Sequence, residues 1–259
     1  MILDEIIAST RESVAARKRV RPLGELRAAA IDAPRPRGFA AVLRKPGRVT
    51  CVAEIKRRSP SAGWIRKDAS APQIAAAYEA AGAAAISVLT DHAFFGGSLD
   101  DLAAVRAAVD VPVLRKDFII DPYQVFEARA AGADAILLIV AALSEAQLSR
   151  LYVTANQLGL DALVETHDQE EIRRAMVLGA RVIGVNHRDL RNFTVDTDLA
   201  VRMRPAIHAR HVVVAESGIR TAEDVRRMGE GGIDAVLVGE TLMRAPDPGA
   251  ALRTLLGVA

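Results

Sequence analysis

Four stretches decide the fold: Gly82–Leu89 (GAAAISVL), Gly132–Ile139 (GADAILLI), Gly179–Asn186 (GARVIGVN) and Gly232–Gly239 (GIDAVLVG). Each opens on a glycine suited to the left-handed position that ends a helix. Each continues as a short apolar run, partly β-branched, as a strand buried on both faces reads. Four further strand candidates alternate with them: Val49–Lys56, Val111–Lys116, Leu160–Glu165 and His211–Glu216. Helical patterns separate the neighbours. Several start on good caps: Asp121 before Pro122, Ser144 with Gln147, Asp168 with Glu171, and Thr221 with Asp224. Strict alternation implies a parallel sheet, and eight similar units imply an α/β fold of the closed (β/α)8 TIM-barrel type. A doubly wound open sheet is the alternative. It predicts an early GxGxxG after the first strand, which the sequence lacks.

Residues 1–47 precede the first strand. Leu3, Ile6, Ile7, Thr10 and Val14 make one helical stripe, and Ala33–Gly47 is a connector rich in Pro and Arg. We read 1–259 as one barrel domain, with 1–47 an N-terminal helical extension and 48–259 the barrel. Pattern alone leaves open whether the extension caps the barrel bottom or overhangs its mouth.

Composition narrows the function. Of 259 residues, 34 are Lys or Arg and 32 are Asp or Glu, a net charge of +2 that lacks the basic excess of a nucleic-acid protein. Asp4 and Glu5 stand where a signal peptide needs positive charge, and the longest apolar run, Ala135–Leu143, is too short to span a bilayer. One Cys permits neither an internal disulfide nor a thiolate metal cluster. The expectation is a cytoplasmic protein that binds neither membrane nor nucleic acid.

In such a barrel, chemistry sits at the C-terminal ends of the strands. The first strand ends in Glu54 and Lys56, which share a face. The third ends in Lys116, the fifth in Glu165, the sixth in Asn186 with Arg188 beyond, and the seventh in Glu216, Ser217 and Gly218. The eighth ends in Gly239. Solvated strand ends are often charged, but a set this large at one end points to a site. The opposite ends, such as Ala84, Asp134 and Asp234, suggest no similar convergence. Two Lys and three Glu can compensate one another, and such a cluster suits proton transfer and oxyanion stabilisation. Gly218 and Gly239 follow the last two strands, the usual place of a barrel phosphate site, with Ser59 near in the first loop.

These residues lie in blocks that resemble the indole-3-glycerol-phosphate synthase family. The blocks are Ala53–Ser61 (AEIKRRSPS), Ser87–Asp91 (SVLTD), Phe94–Ser98 (FFGGS) and Leu114–Gln124 (LRKDFIIDPYQ), then Leu163–Asp168 (LVETHD), Ile183–Leu190 (IGVNHRDL), Val214–Ile219 (VAESGI) and Val236–Met243 (VLVGETLM). The resemblance implies a TIM barrel of the tryptophan pathway. Its reaction turns 1-(2-carboxyphenylamino)-1-deoxyribulose 5-phosphate into indole-3-glycerol phosphate, carbon dioxide and water. No metal or organic cofactor is implied, and the partner is a small phosphorylated substrate. Monomer or weak homo-oligomer, and docking with other tryptophan-pathway enzymes, stay open.

By the same resemblance Lys116 is the general acid for carbonyl attack, Glu165 and Lys56 serve the loss of water, and Glu54 orients this network. Glu216 holds the opposite side, Asn186 meets substrate hydroxyls, Arg188 binds substrate, and Phe95 and Phe118 line the anthranilate pocket. Ser59, Gly218 and Gly239 match the phosphate site, flanked by Ser217 and Glu240. Glu240 stands where some relatives have Ser, so its backbone N–H is expected to serve while its carboxylate turns away. A sugar-phosphate isomerase on the same barrel would want a Cys near the end of the first strand, where Glu54 and Lys56 stand. A catalytically dead scaffold would show lost catalytic residues, and none is lost.

Other residues carry less. Cys51 has the opposite parity to Glu54 and should pack against the helices as a small hydrophobe. His92, His167, His187, His208 and His211 show no metal-ligand spacing, and His167 reads as a loop residue near the edge of the site. Arg17–Arg21 reads as a solvated helix end. Trp64 either lines the pocket or anchors the first loop.

Overall fold

The structure, a computed structural model, describes residues 2–189 and 194–258. Leu190, the last residue of one family-like block, lies outside them. Eight parallel strands form the barrel: β1 (Arg48–Ile55), β2 (Ala85–Leu89), β3 (Val113–Lys116), β4 (Ala135–Ile139), β5 (Asp161–Thr166), β6 (Val182–Asn186), β7 (Val212–Glu216) and β8 (Ala235–Val238). Each pairs in parallel with the next, and β8 pairs with β1, so the sheet closes.

The helices are α1 (Ile2–Val20), α2 (Leu23–Asp32) and α3 (Phe39–Leu43) in the extension. Around the barrel run α4 (Ala71–Ala80), α5 (Leu99–Ala108), α6 (Pro122–Ala130), α7 (Glu145–Gln157), α8 (Gln169–Leu178) and α9 (Leu199–Met203). The last three are α10 (Ala222–Glu230), α11 (Glu240–Arg244) and α12 (Pro248–Leu256). The caps behave as their chemistry predicts. Asp121, Ser144 and Thr221 make reciprocal capping boxes, and the Asp168 carboxylate accepts from the Glu171 amide. Among the described residues, no helix is long and apolar enough to cross a membrane.

Strand parity divides the core in two. Cys51, Ala53 and Ile55 face the helix layer, where burial pushes the Cys51 thiol up to about 12 and keeps it inert. Val52, Leu114, Leu163 and Val214 face the barrel interior, one from each odd-numbered strand. Layers of four from alternate strands are how such barrels fill their centre. Two residues further along the same four strands stand Glu54, Lys116, Glu165 and Glu216. The aliphatic layer is thus followed by a wholly charged one.

The extension serves both ends of the barrel. Phe39, Ala40 and Leu43 of α3 join the interior cluster from below. Carboxylates at the strand starts hold this segment. Asp134 accepts from the Arg37 amide at 2.6 Å, Asp161 from the Ala40 amide at 2.9 Å, and Asp234 pairs with Arg44 at 2.7 Å. The bottom face therefore has a convergence of its own, contrary to the expectation from Asp134 and Asp234 as isolated residues. It is structural: its partners are backbone amides and arginines of the extension. At the other end, Ile2, Leu3 and Ile6 of α1 overhang the mouth. Arg17 ties α1 to Glu127 at 2.7 Å. Glu127 in turn lies 3.5 Å from the buried Arg115, beside Lys116 on β3.

Phe39 is fully buried beneath the barrel. Phe39→Ala is expected to cost about 3–5 kcal/mol, the usual price of emptying an aromatic core site. Urea unfolding measures it, and a loss under about 1 kcal/mol would show that α3 is not a plug.

Candidate active site

A cavity of about 560 Å³ opens at the C-terminal ends of the strands. Every residue singled out above as a site candidate stands on its wall: Glu54, Lys56, Ser59, Phe95, Lys116, Phe118, Glu165, Asn186, Arg188, Glu216, Ser217, Gly218, Gly239 and Glu240. Leu137, Ile139 and Leu237 from the barrel interior complete its apolar side.

The centre is Lys116. Its Nζ lies 3.4 Å from Glu216 Oε2, 3.6 Å from Glu54 Oε2 and 3.9 Å from Glu165 Oε2. Lys56 Nζ is 3.3 Å from Glu54 Oε1. Burial alone would discharge Lys116, but Glu54, Glu216 and Glu165 overcome it and push its pKa up. Lys56, Lys116 and the His167 ring between Glu165 and Glu171 face four carboxylates in all, so one carboxylate is surplus. Glu216 is the one pushed toward the protonated form. Burial and the charge of Glu165 raise it to about 8 against the pull of Lys116. Among the described residues its oxygens have no closer polar contact recorded than the ion pair of Oε2 with Lys116 Nζ at 3.4 Å. Burial also pushes Glu165 up, yet His167, Lys116 and Asn186 together hold it down at about 2. Glu54 likewise stays ionised, with Lys116 and Lys56 prevailing over burial.

Two glycines make this packing fit. A Cβ on Gly184 would lie 2.2 Å from Glu216 Oε1, and one on Gly239 would lie 2.6 Å from Glu54 Oε1. Gly239 therefore has a steric reason to be glycine.

Around the centre, Asn186 Oδ1 accepts from Ser217 Oγ at 2.8 Å and from the Arg188 amide at 3.0 Å, which leaves its NH2 on the Glu165 side. The Phe95 and Phe118 rings pack 6.0 Å apart, tilted by 35°. Ser217 has φ +66° and Gly218 φ +75°, a left-handed pair at the end of β7. The Ser59 hydroxyl accepts from the Ala62 amide within a short antiparallel hairpin, Arg58–Ser59 with Gly63–Trp64. Trp64 is half exposed and absent from the cavity wall. It packs on Gly96 and under Arg58 and Lys67, so it anchors the loop. The Glu240 carboxylate is taken by Arg244 at 2.9 Å along the same short helix.

Several wall residues were not among the site candidates read from the sequence. Ile2, Leu3 and Ile6 come from the extension, and Arg220 and Arg244 follow the last two strands. His167 is more than a loop residue, for its Nε2 lies 3.4 Å from Glu165 Oε1. Its parity with Glu165, two residues earlier, was the signal available. Among the described residues, no group of three or more His, Cys, Asp or Glu is placed to hold a metal ion.

A family model described as indole-3-glycerol phosphate synthase matches residues 3–255. The chain belongs to this family. It is 50% identical to "Indole-3-glycerol phosphate synthase 2" of Streptomyces coelicolor, over 99% of both chains. It is 50% identical to the indole-3-glycerol phosphate synthase of Rhodopirellula baltica, over 98% of both. Among solved structures, the barrel is similar to a thiamine phosphate pyrophosphorylase from Pyrococcus furiosus. The TM-score is 0.61 at 19% identity, covering 80% of this chain and 93% of that one. A similar match is the N-acetylmannosamine-6-phosphate 2-epimerase from Clostridium perfringens, with TM-score 0.61 at 16% identity and coverage of 79% and 90%. At those identities the likeness is one of fold.

Because Glu216 keeps its proton to about 8 when folded, and loses it in the usual carboxylate range when unfolded, folding takes up a proton between those limits. Stability should therefore fall as pH rises through that window, and Glu216→Gln should flatten the fall. Urea unfolding from about pH 5 to about pH 8 compares the two. Equal slopes would mean that Glu216 ionises normally.

Proposed function

We propose that this chain closes the indole ring, converting the carboxyphenylamino-deoxyribulose phosphate to indole-3-glycerol phosphate with Lys116 as general acid. The observation that carries the reading is the Lys116 ammonium set among three buried carboxylates, on the wall of a cavity with an aromatic pair at one side. The anthranilate ring packs against Phe95 and Phe118. The phosphate lies toward Ser59, Gly218 and Gly239, with backbone N–H groups there and at Glu240 as donors, Ser217 alongside, and Arg188 supplying positive charge.

The chemistry needs two protons delivered and one removed. The ring carbon that bears the carboxylate attacks the ribulose carbonyl, and Lys116 protonates the oxygen as its negative charge develops. Carbon dioxide then leaves, and the electrons of the broken bond restore the aromatic ring. Finally the new hydroxyl departs as water, which takes the second proton, while a base removes a proton from the carbon next to nitrogen. Glu165 and Lys56 divide this last step. Glu54 holds both lysines in place, Glu216 supports Lys116 from across the barrel, and Asn186 meets the substrate hydroxyls. In the same reading the extension and barrel act as one domain. The enzyme is cytoplasmic, works without metal or organic cofactor, and is a monomer or weak homo-oligomer. The single buried Cys51 accords with a reducing compartment.

Purified protein incubated with the substrate in EDTA should generate indole absorbance and fluorescence. A folded sample that binds substrate without turnover would instead make it a binding protein. Lys116→Met should lower turnover by at least about 100-fold while circular dichroism stays unchanged. Near-normal turnover in that variant would remove Lys116 from its role.

A further inference from the structure

His167 belongs to no step above, yet it is the one imidazole in direct contact with the charged layer among the described residues. It lies just past β5 with its side chain 13% exposed, and it is not on the cavity wall. Its Nε2 faces Glu165 Oε1 at 3.4 Å. Its Nδ1 faces Glu171 Oε2 at 3.1 Å, and the same carboxylate oxygen accepts from the His167 amide at 2.7 Å. Glu171 is itself held by the start of α8, where the Asp168 carboxylate accepts from its amide at 2.9 Å. The ring is therefore placed by a helix cap, independently of any substrate.

A neutral imidazole has one N–H and one lone pair, and here the lone pair would confront a carboxylate oxygen. Only the imidazolium presents a proton to both neighbours, in a hydrogen bond to Glu171 through Nδ1 and in a looser ion pair with Glu165 through Nε2. We propose that His167 is a positioning residue whose fixed positive charge makes Glu165 the ionised member of the carboxylate trio and leaves the surplus proton on Glu216. The inference rests on the reading of Glu165 as an acid–base group, and it adds which carboxylate enters the reaction as the base.

The charges that face this arrangement come from every side. Glu165 on β5 and Glu171 on α8 flank the ring. Beyond Glu165 stand Lys116 on β3, Glu216 on β7 and Glu54 on β1. Lys116 is shared by all three carboxylates, so it cannot by itself decide which one is protonated. His167 touches only Glu165, and that asymmetry makes the choice. Burial works against the charged ring, but Glu165 and Glu171 outweigh it and raise its pKa to about 10.

The test begins without substrate. In full-length enzyme, 15N NMR of the histidine rings, assigned by loss of a signal in His167→Gln, should show His167 doubly protonated through neutral pH and up to about 10. Carboxyl 13C titration should show Glu165 rising and Glu216 falling in His167→Gln. Glu171→Gln, which lies off the cavity, should lower the pH at which the His167 ring loses its second proton. In kinetics, His167→Gln should lower kcat by about 10-fold to 100-fold, leave KM within about twofold, and move the acid limb of the pH profile upward. A merely structural role would lower thermal stability and leave the pH profile in place. A ring that titrates near the ordinary histidine value, or unchanged Glu165 and Glu216 titrations in His167→Gln, would overturn the proposal. If the wild-type chain made no indole product, the proposed function would fail, and the NMR titrations would still decide the proton assignment.

Discussion

Everything at the barrel mouth depends on the cost of taking charge out of water. Glu54, Lys116, Glu165 and Glu216 occupy one layer of the interior, where the layer beneath is Val52, Leu114, Leu163 and Val214. A buried ion without a partner costs several kcal/mol, so such a layer is tolerable only if its members neutralise one another. Lys116 does most of this by standing within 4 Å of three carboxylates, and Lys56 adds a second cation on Glu54. The remaining imbalance is met by protonation, which is cheaper than a third buried anion. The same arrangement that makes the layer tolerable leaves it with an ammonium, ionised carboxylates and a protonated carboxyl at hand. Those are the groups that a reaction with several proton transfers requires.

The rest of the fold can be understood as what allows this layer to exist. Small residues give the carboxylates room: Gly184 for Glu216, Gly239 for Glu54, and Ser87, whose hydroxyl faces Glu54 Oε2 at 3.4 Å. The extension then secures both ends. Below, α3 fills the barrel and its flanking residues satisfy Asp134, Asp161 and Asp234. Above, α1 roofs the cavity and is linked through Arg17, Glu127 and Arg115 to the strand that carries Lys116. Stability is concentrated at the N-terminal face and chemistry at the C-terminal face, the usual division in these barrels.

Much of this was legible because its causes are local. Alternation along a strand places Glu54 inward and Cys51 outward with no knowledge of the partner strands. Cap chemistry at Asp121, Ser144, Asp168 and Thr221 marks helix starts to within a residue or so. What stayed hidden depends on contacts distant in sequence. Asp134 and Asp234 look like ordinary strand-start carboxylates until Arg37 and Arg44 reach them from the extension. Gly184 looks like a weak point in a strand until Glu216 is placed beside it. His167 had the right parity, but Glu171 reads as part of a helix cap, and nothing in the sequence shows that its carboxylate turns back to the imidazole. Leu3 and Ile6 read as one apolar helix stripe, and the stripe alone does not tell a core from a cavity.

Ser217 shows how the charged layer connects to the other end of the cavity. A non-glycine residue in the left-handed region costs about 1–2 kcal/mol, and such strain persists only where the surroundings enforce it. Here the Ser217 hydroxyl donates to Asn186 Oδ1, and its carbonyl accepts from the His187 ring at 2.9 Å. Burial holds the His187 pKa down, so the ring is neutral, with Nδ1 protonated as the donor. Hydrogen bonds of this kind contribute about 1 kcal/mol each, enough to hold the strained backbone. The strain has a geometric result: it turns the chain sharply after Glu216, so that Gly218 follows on the cavity wall. Asn186 is thereby committed on its oxygen to Ser217 and on its nitrogen to the Glu165 side. One amide side chain links the charged layer to the backbone turn, and a shift of either is felt by the other.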